Sequence, residues 1–254
     1  METAEQVVLS LGLVTGTLAL SLWQQLGLTS SIVVAAGRSV LQMIVFCSFI
    51  AVVFSLQSAI TTLVAIALFM IVSSVLAYHQ INEPVPFLFP MIMGSLLIGS
   101  FVTIGYTTLL VFPVKPWYAA QVMVPLVGIL VSSSMSNSAI AASQLIQTLN
   151  ANRLEIETHL SLGARPDVAI APYRRQAIRS ALMPQLSALT ILGLGLLPNF
   201  MAGELLAGFH PLQAGAYQLL ILFMSLFATL LTTLLLTVGI SRQFFNSHDQ
   251  FIQW

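Results

Sequence analysis

Long apolar runs separated by short polar breaks dominate the chain. No charged residue falls between Arg38 and Glu83, between Glu83 and Lys115, between Lys115 and Arg153, or between Glu204 and Arg242. A membrane-spanning helix needs about 20 mostly apolar residues. The pattern predicts seven spans, at 6–24, 37–55, 59–78, 87–111, 117–139, 183–206 and 215–239. The 39–82 stretch is too long for one span and splits at Ser55-Leu56-Gln57-Ser58. Pro84, Pro86 and Pro90 mark the entry to the fourth span, and Pro113 and Pro116 bracket the turn before the fifth. At helix edges the missing proline N–H costs least. The expected fold is all-α: a polytopic membrane bundle of about seven helices, one membrane domain over 1–254.

Residues 140–182 are the one long stretch that reads as lying outside the membrane. Leu145, Ile146, Leu149, Ile156, Leu160 and Leu162 recur near helical spacing, with Asn and charges between them. Gly163 can end that helix in a left-handed cap. Pro166 suits the first position of the next helix, and Asp167 lies in its first turn, where a carboxylate meets the positive end of the helix dipole. Leu162 to Pro166 therefore reads as a tight corner between two helices. The plainest reading of the pair is an amphipathic surface element, with Arg174, Arg175 and Arg179 anchoring inner-leaflet phosphates at about 1 kcal/mol each.

Composition agrees with the pattern. Apolar residues make up 57% of the chain and charged residues 6%, against about 25% charged in soluble domains. The mean hydropathy is +0.96. A net charge of zero points to no nucleic-acid partner. The single cysteine, Cys47, excludes an internal disulfide framework. Glu2 and Glu5 precede the first apolar run without any base, so that run is expected to be retained as a span and not cleaved as a signal peptide. Arg153, Arg165, Arg174, Arg175 and Arg179 all fall between the fifth and sixth spans, which makes that segment cytoplasmic. The N-terminus then lies outside and the C-terminus inside. Arg38 and Arg242 also come out cytoplasmic, and only Lys115 faces outward, beside Trp117 and Tyr118.

At the corner, Glu157-Thr-His-Leu-Ser-Leu-Gly163-Ala164, followed by Ile178 and Leu182-Met183-Pro184, resembles the EAA loop of ABC-transporter permeases. Thr158-His159 stands for the Ala-Ala pair, and Met183 interrupts the Leu-Pro. Three further runs fit one family with it: Gly37 to Gln42, Gln121 to Gly128, and Leu197 to Leu212. The chain resembles the FetB-like permease family, membrane subunits of iron-export ABC transporters with plant relatives linked to aluminium tolerance. It departs from the family at Ser132 to Ser138, so substrate contacts there are not carried over. The resemblance implies a permease dimer in the plasma (bacterial inner) membrane, served by two ATP-binding subunits that hold ATP and Mg. It assigns Glu157, Leu160, Leu162, Gly163, Ala164 and Arg165 to coupling with that subunit. The expected docking face is Leu154, Ile156 and Leu160.

The chain carries no GxxxxGK[ST] phosphate loop, and its only lysine, Lys115, is followed by Pro116. Any ATPase must be a separate subunit. No catalytic residue is expected. An intramembrane protease would need a histidine at membrane depth, yet His79, His159, His210 and His248 fall at span ends or loops. A stand-alone transporter or channel would want an ionisable residue in mid-membrane, where only Glu204 and Arg38 come close. A non-metal cargo such as a nucleotide sugar is a further alternative. Ser132 with Ser136, and Ser134 with Ser138, have small-xxx-small spacing, which suits either helix packing or a pathway lined by Ser136 and Asn137. Arg38 and Gln42 share a helix face, as a snorkelling pair or a buried polar contact. Pro198-Asn199 with Gly193, Gly195, Gly203 and Gly208 should interrupt the sixth span, and broken membrane helices border substrate sites. Glu204, with Asn199 and Met201, is the candidate substrate and metal-cation group. A carboxylate suits an iron-like cation better than a thioether does.

The topology has a direct test in a Cys47→Ser background. A cysteine replacing Lys115 should react with an impermeant thiol reagent in intact cells, and one replacing Arg174 should not. The reverse pattern would overturn the orientation.

Overall fold

The computed structural model describes residues 2–81, 83–111, 116, 118–193, 197–246 and 250–252, with side chains from residue 12 onward. Pro113, Lys115, Trp117, Gly195 and His248, which the sequence reading used, lie outside the described residues. The chain, expected as one domain, divides into two units, Met1–Leu56 and Gln57–Trp254.

The first unit holds α1 (Glu2–Trp23) and α2 (Thr29–Leu56). Arg38 lies well inside α2, because the helix begins eight residues before the predicted span boundary at 37. Arg38 and Gln42 are both exposed, so of the two readings the buried polar contact is not found within this unit.

The second unit holds α3 (Ala59–Ile81), α4 (Leu88–Tyr106) continued by a π-helical turn (Thr107–Val111), α5 (Ala120–Ala151), α6 (Arg153–Ser161), α7 (Pro166–Ile191), α8 (Asn199–Leu206) and α9 (Pro211–Gln243). The predicted split before α3 is present: Gln57 takes a positive φ of 41°, and Ser58 Oγ accepts the Ile60 N–H at 3.4 Å. Helices α5 and α9 form the centre, with α3, α4 and α7 packed on them. At 1.5 Å per residue, these 32- and 33-residue helices run about 48–50 Å, against a hydrocarbon core of about 30 Å. They therefore project past the bilayer. Their projecting ends, with α6, the start of α7 and Phe244 and Phe251 from the C-terminal segment, close a core around Leu145, Leu149, Ile156 and Ile170.

Two sequence expectations change. The segment placed outside the membrane at 140 begins inside α5, which continues unbroken to Ala151. The predicted sixth span at 183–206 is not one helix. Helix α7 runs from Pro166 to Ile191, Gly193 turns with φ 77°, and α8 starts only at Asn199. The expected interruption is thus real. Among the described residues five helices, α2, α3, α4 with its π turn, α5 and α9, are long and apolar enough to cross a membrane. The described apolar part of α1, Gly12–Trp23, is shorter.

The α4–α9 contact shows how polar residues serve packing here. Thr103 and Thr107 donate to the carbonyls of Gly99 and Thr103, and Thr233 and Thr237 to those of Thr229 and Thr233, at 2.7–2.8 Å. Each hydroxyl is satisfied by its own helix, so the small side chain costs little in the apolar interior. Gly99 lets α4 approach closely: a Cβ there would collide with Thr232 Oγ1 and lie 3.2 Å from the Ala228 carbonyl oxygen. Gly99→Val should therefore destabilise the protein by about 1–3 kcal/mol. The check is a lower thermal midpoint in detergent, and Thr232→Ala should recover part of the loss in Gly99→Ala.

Candidate functional site

Two places collect the residues singled out by sequence. The first is the α6–α7 corner. Gly163 has φ 88°, a conformation that disfavours any residue with a Cβ. The Gly163 N–H donates to Leu160 O at 2.9 Å and the Ala164 N–H to His159 O at 3.0 Å, the paired bonds of a Schellman cap. Arg165 is extended and Pro166 opens α7, as expected. Arg153 and Glu157 form an exposed ion pair at 2.7 Å, one helical turn apart. Burial pushes the Tyr173 phenol above its ordinary pKa, and the neighbouring Glu155 adds to the rise.

The docking face needs correction. Ile156 is wholly buried and Leu160 packs against the core beside Tyr173, so both point into the protein. They lie four residues apart, hence on one face of α6, and that face seats the helix on α5 and α7. The apolar side chains left uncovered are Leu154 and Leu162, each 80% exposed, and Val168 at 63%.

The second place is a cavity of about 430 Å³ lined by twelve residues, eight of them apolar. Its polar groups are Thr107 from the π turn, Gln121 from α5, Glu204 from α8 and Tyr217 from α9. Glu204 Oε2 is buried without a hydrogen-bond partner. Helix α8 is held by two bonds: Gln218 Oε1 accepts the Met201 N–H at 3.3 Å, and the Phe209 N–H donates to Glu204 O at 3.0 Å. Gly208, with φ 87°, makes that second bond part of another Schellman cap. Pro125, also on the cavity wall, has no N–H to give the Gln121 carbonyl one turn earlier. An apolar cavity of about 560 Å³ shares Thr107 and Leu220 with this one, so the π turn lies on their common border.

The other candidates are not gathered here. Asn199 is exposed, and neither it nor Met201 lines the cavity. Asn137 is buried and donates to Ser133 O at 2.9 Å within α5. Ser134 and Ser138 are buried, with Ser134 Oγ 3.5 Å from Thr229 Oγ1 of α9, whereas Ser132 and Ser136 are exposed. The two small-residue pairs thus divide, one packing and the other left open. Thr107 and Tyr217 carried no sequence signal; Gln121 and Pro125, four residues apart on an apolar helix, could have been found as a polar face. Among the described residues no group of three or more His, Cys, Asp or Glu could hold a metal ion.

Residues 4–245 match an uncharacterised protein family, UPF0014. A UPF0014 membrane protein of Synechocystis is 38% identical over 242 residues, 95% of this chain and 93% of that one. "Probable iron export permease protein FetB" of Escherichia coli is 27% identical, covering 98% of this chain and 95% of its own. The UPF0014 membrane protein STAR2 of rice is 30% identical, covering 96% of this chain and 84% of its own. No solved structure matches the chain.

An unpaired buried carboxylate oxygen is costly, and an apolar isostere removes that cost. Glu204 as a whole is half-buried, so Glu204→Met should raise the thermal midpoint of the ligand-free protein by the equivalent of about 1 kcal/mol. A lower midpoint would mean that the carboxylate is paired.

Proposed function

Because this multi-pass membrane protein belongs to the UPF0014 family and is similar to a probable iron export permease of Escherichia coli, we propose that it is the membrane subunit of an ABC-type exporter. The observation that carries the reading is the α6–α7 corner. The carbonyls of His159 and Leu160 at the end of α6 are capped, and Pro166 fixes the start of α7. The corner also presents Leu154, Leu162 and Val168 uncovered beside Arg165. That is the surface a separate ATPase subunit would grip, since the chain has no nucleotide loop of its own. Two ATPase subunits would serve a dimer.

The cargo is a hard metal cation such as iron. The carboxylate of Glu204, the amide of Gln121, the phenol of Tyr217 and the hydroxyl of Thr107 offer oxygen donors and no sulfur. Glu204 is the group that draws the cation into the cavity, and the bound ion pairs the carboxylate oxygen that has no partner in the empty cavity.

The test is ATP hydrolysis against Fe²⁺ concentration in proteoliposomes holding the permease and its co-purifying ATPase. Gly163→Val forces a β-branched residue into a left-handed conformation, at about 1–2 kcal/mol. The expected result is normal membrane insertion with at least a tenfold loss of iron-stimulated hydrolysis. Wild-type stimulation in the variant would remove the corner from coupling.

A further inference from the structure

The cavity at Glu204 is larger and more apolar than a metal ion needs. Metal–oxygen bonds are about 2 Å long, so an ion with its oxygen donors fills only part of the space. The cavity volume of about 430 Å³ is that of a small-molecule site, an apolar cleft with a few polar groups. Eight of its twelve lining residues are apolar and offer a metal no ligand.

Three aromatic rings share this wall with one charge. Phe200 and Glu204 lie four residues apart on α8, hence on one side of it. Phe209 follows that helix, and the Schellman bond from its N–H to Glu204 O brings the second ring back towards the acidic residue. Tyr217 comes from α9, with Leu220 and Ile221 three and four residues further along the same side. Helix α5 supplies more aliphatic wall.

Glu204 is the only charged residue of the twelve, and no ion pair among the described residues includes it. Its Oε2 is buried without a partner. A carboxylate shares its charge over both oxygens, so a cation that meets either one offsets it. The faces of phenyl and phenol rings are negative and attract cations without forming a ligand bond.

We infer that the Glu204 cavity binds a monovalent organic cation, a quaternary ammonium with an apolar body. The positive head lies against Glu204 among the rings of Phe200, Phe209 and Tyr217, and the body lies along the aliphatic wall of α5 and α9. One carboxylate matches one positive charge. The ammonium is quaternary because an N–H turned towards the rings would be left without an acceptor. The inference goes beyond the exporter reading, since it needs the cavity alone.

Equilibrium dialysis of the purified permease in detergent against radiolabelled benzyltrimethylammonium tests this. Saturable binding of one cation per chain is expected. Glu204→Gln keeps the shape and removes the charge, and should weaken binding by about tenfold or more. Phe209, 49% exposed, has room to change. Phe209→Leu should weaken binding by about threefold, the loss of one exposed cation–π contact. Phe209→Trp should bind at least as tightly as wild type, because the indole face attracts cations best. A ring needed only for packing would not give that order. Each variant is compared where detergent melting shows one cooperative transition, and Phe200→Leu replaces Phe209→Leu if the latter does not fold. Absence of saturable binding to the wild type, or equal binding to Glu204→Gln, would overturn the inference. Fe²⁺ added to the dialysis separates the two readings. Displacement of the probe supports one carboxylate shared by both cations. Undiminished binding would remove the metal from this cavity and leave the organic cation in it.

Discussion

Hydrocarbon offers no hydrogen-bond partner, and that constraint organises this molecule. Every polar group at membrane depth must be answered within its own helix or by a neighbour. Thr103 of α4, Thr107 of the π turn, and Thr233 and Thr237 of α9 obey it by turning back onto carbonyls one turn earlier. Gln185 of α7 reaches across instead, donating to Thr229 Oγ1 of α9 at 2.8 Å. Some groups depart from it. Glu204 keeps a buried oxygen without a partner, as do Ser100 and Thr232, and Pro125 leaves the Gln121 carbonyl without its helical donor. Glu204, Gln121 and Pro125 line one cavity.

The two ends of the second unit use the same corner. Gly163-Ala164-Arg165-Pro166 and Gly208-Phe209-His210-Pro211 each place a left-handed glycine two residues before an extended N-cap and a proline at the first helical position. The glycine lets the chain close the carbonyls of the preceding helix, and the proline fixes φ for the next. Such corners resist deformation, so each holds its short helix, α6 or α8, at a set angle to the long helix that follows.

Much of this was legible in the sequence, and the reasons are physical. Gly163 could be placed because few residues other than glycine accept its φ. The break after Ile191 could be placed because Gly193 takes a left-handed turn and Pro198 ends one helical run and caps the next. The continuity of α7 could not: Arg174, Arg175 and Arg179 lower its hydropathy, yet a helix tolerates them on an exposed side. The facing of α6 was misread because apolar residues occur on both its sides. Which side seats inward depends on α5 and α7, not on α6 itself. The polar groups that line the cavity with Glu204 come from three other elements, and no local pattern joins Thr107, Gln121 and Tyr217 before the chain folds.

Helix α5 has a mechanical consequence. It is one continuous rod of about 48 Å from the wall of the Glu204 cavity to Ala151, and only Asn152 separates it from α6. A rod has no joint in which to absorb a push. Tilting it by about 5° at the α6 end would swing its far tip by about 4 Å, more than the width of a water molecule. Pro125, near that tip, is where the rod is weakest in bending. The helix is thus a lever whose long arm ends at the wall of the Glu204 cavity.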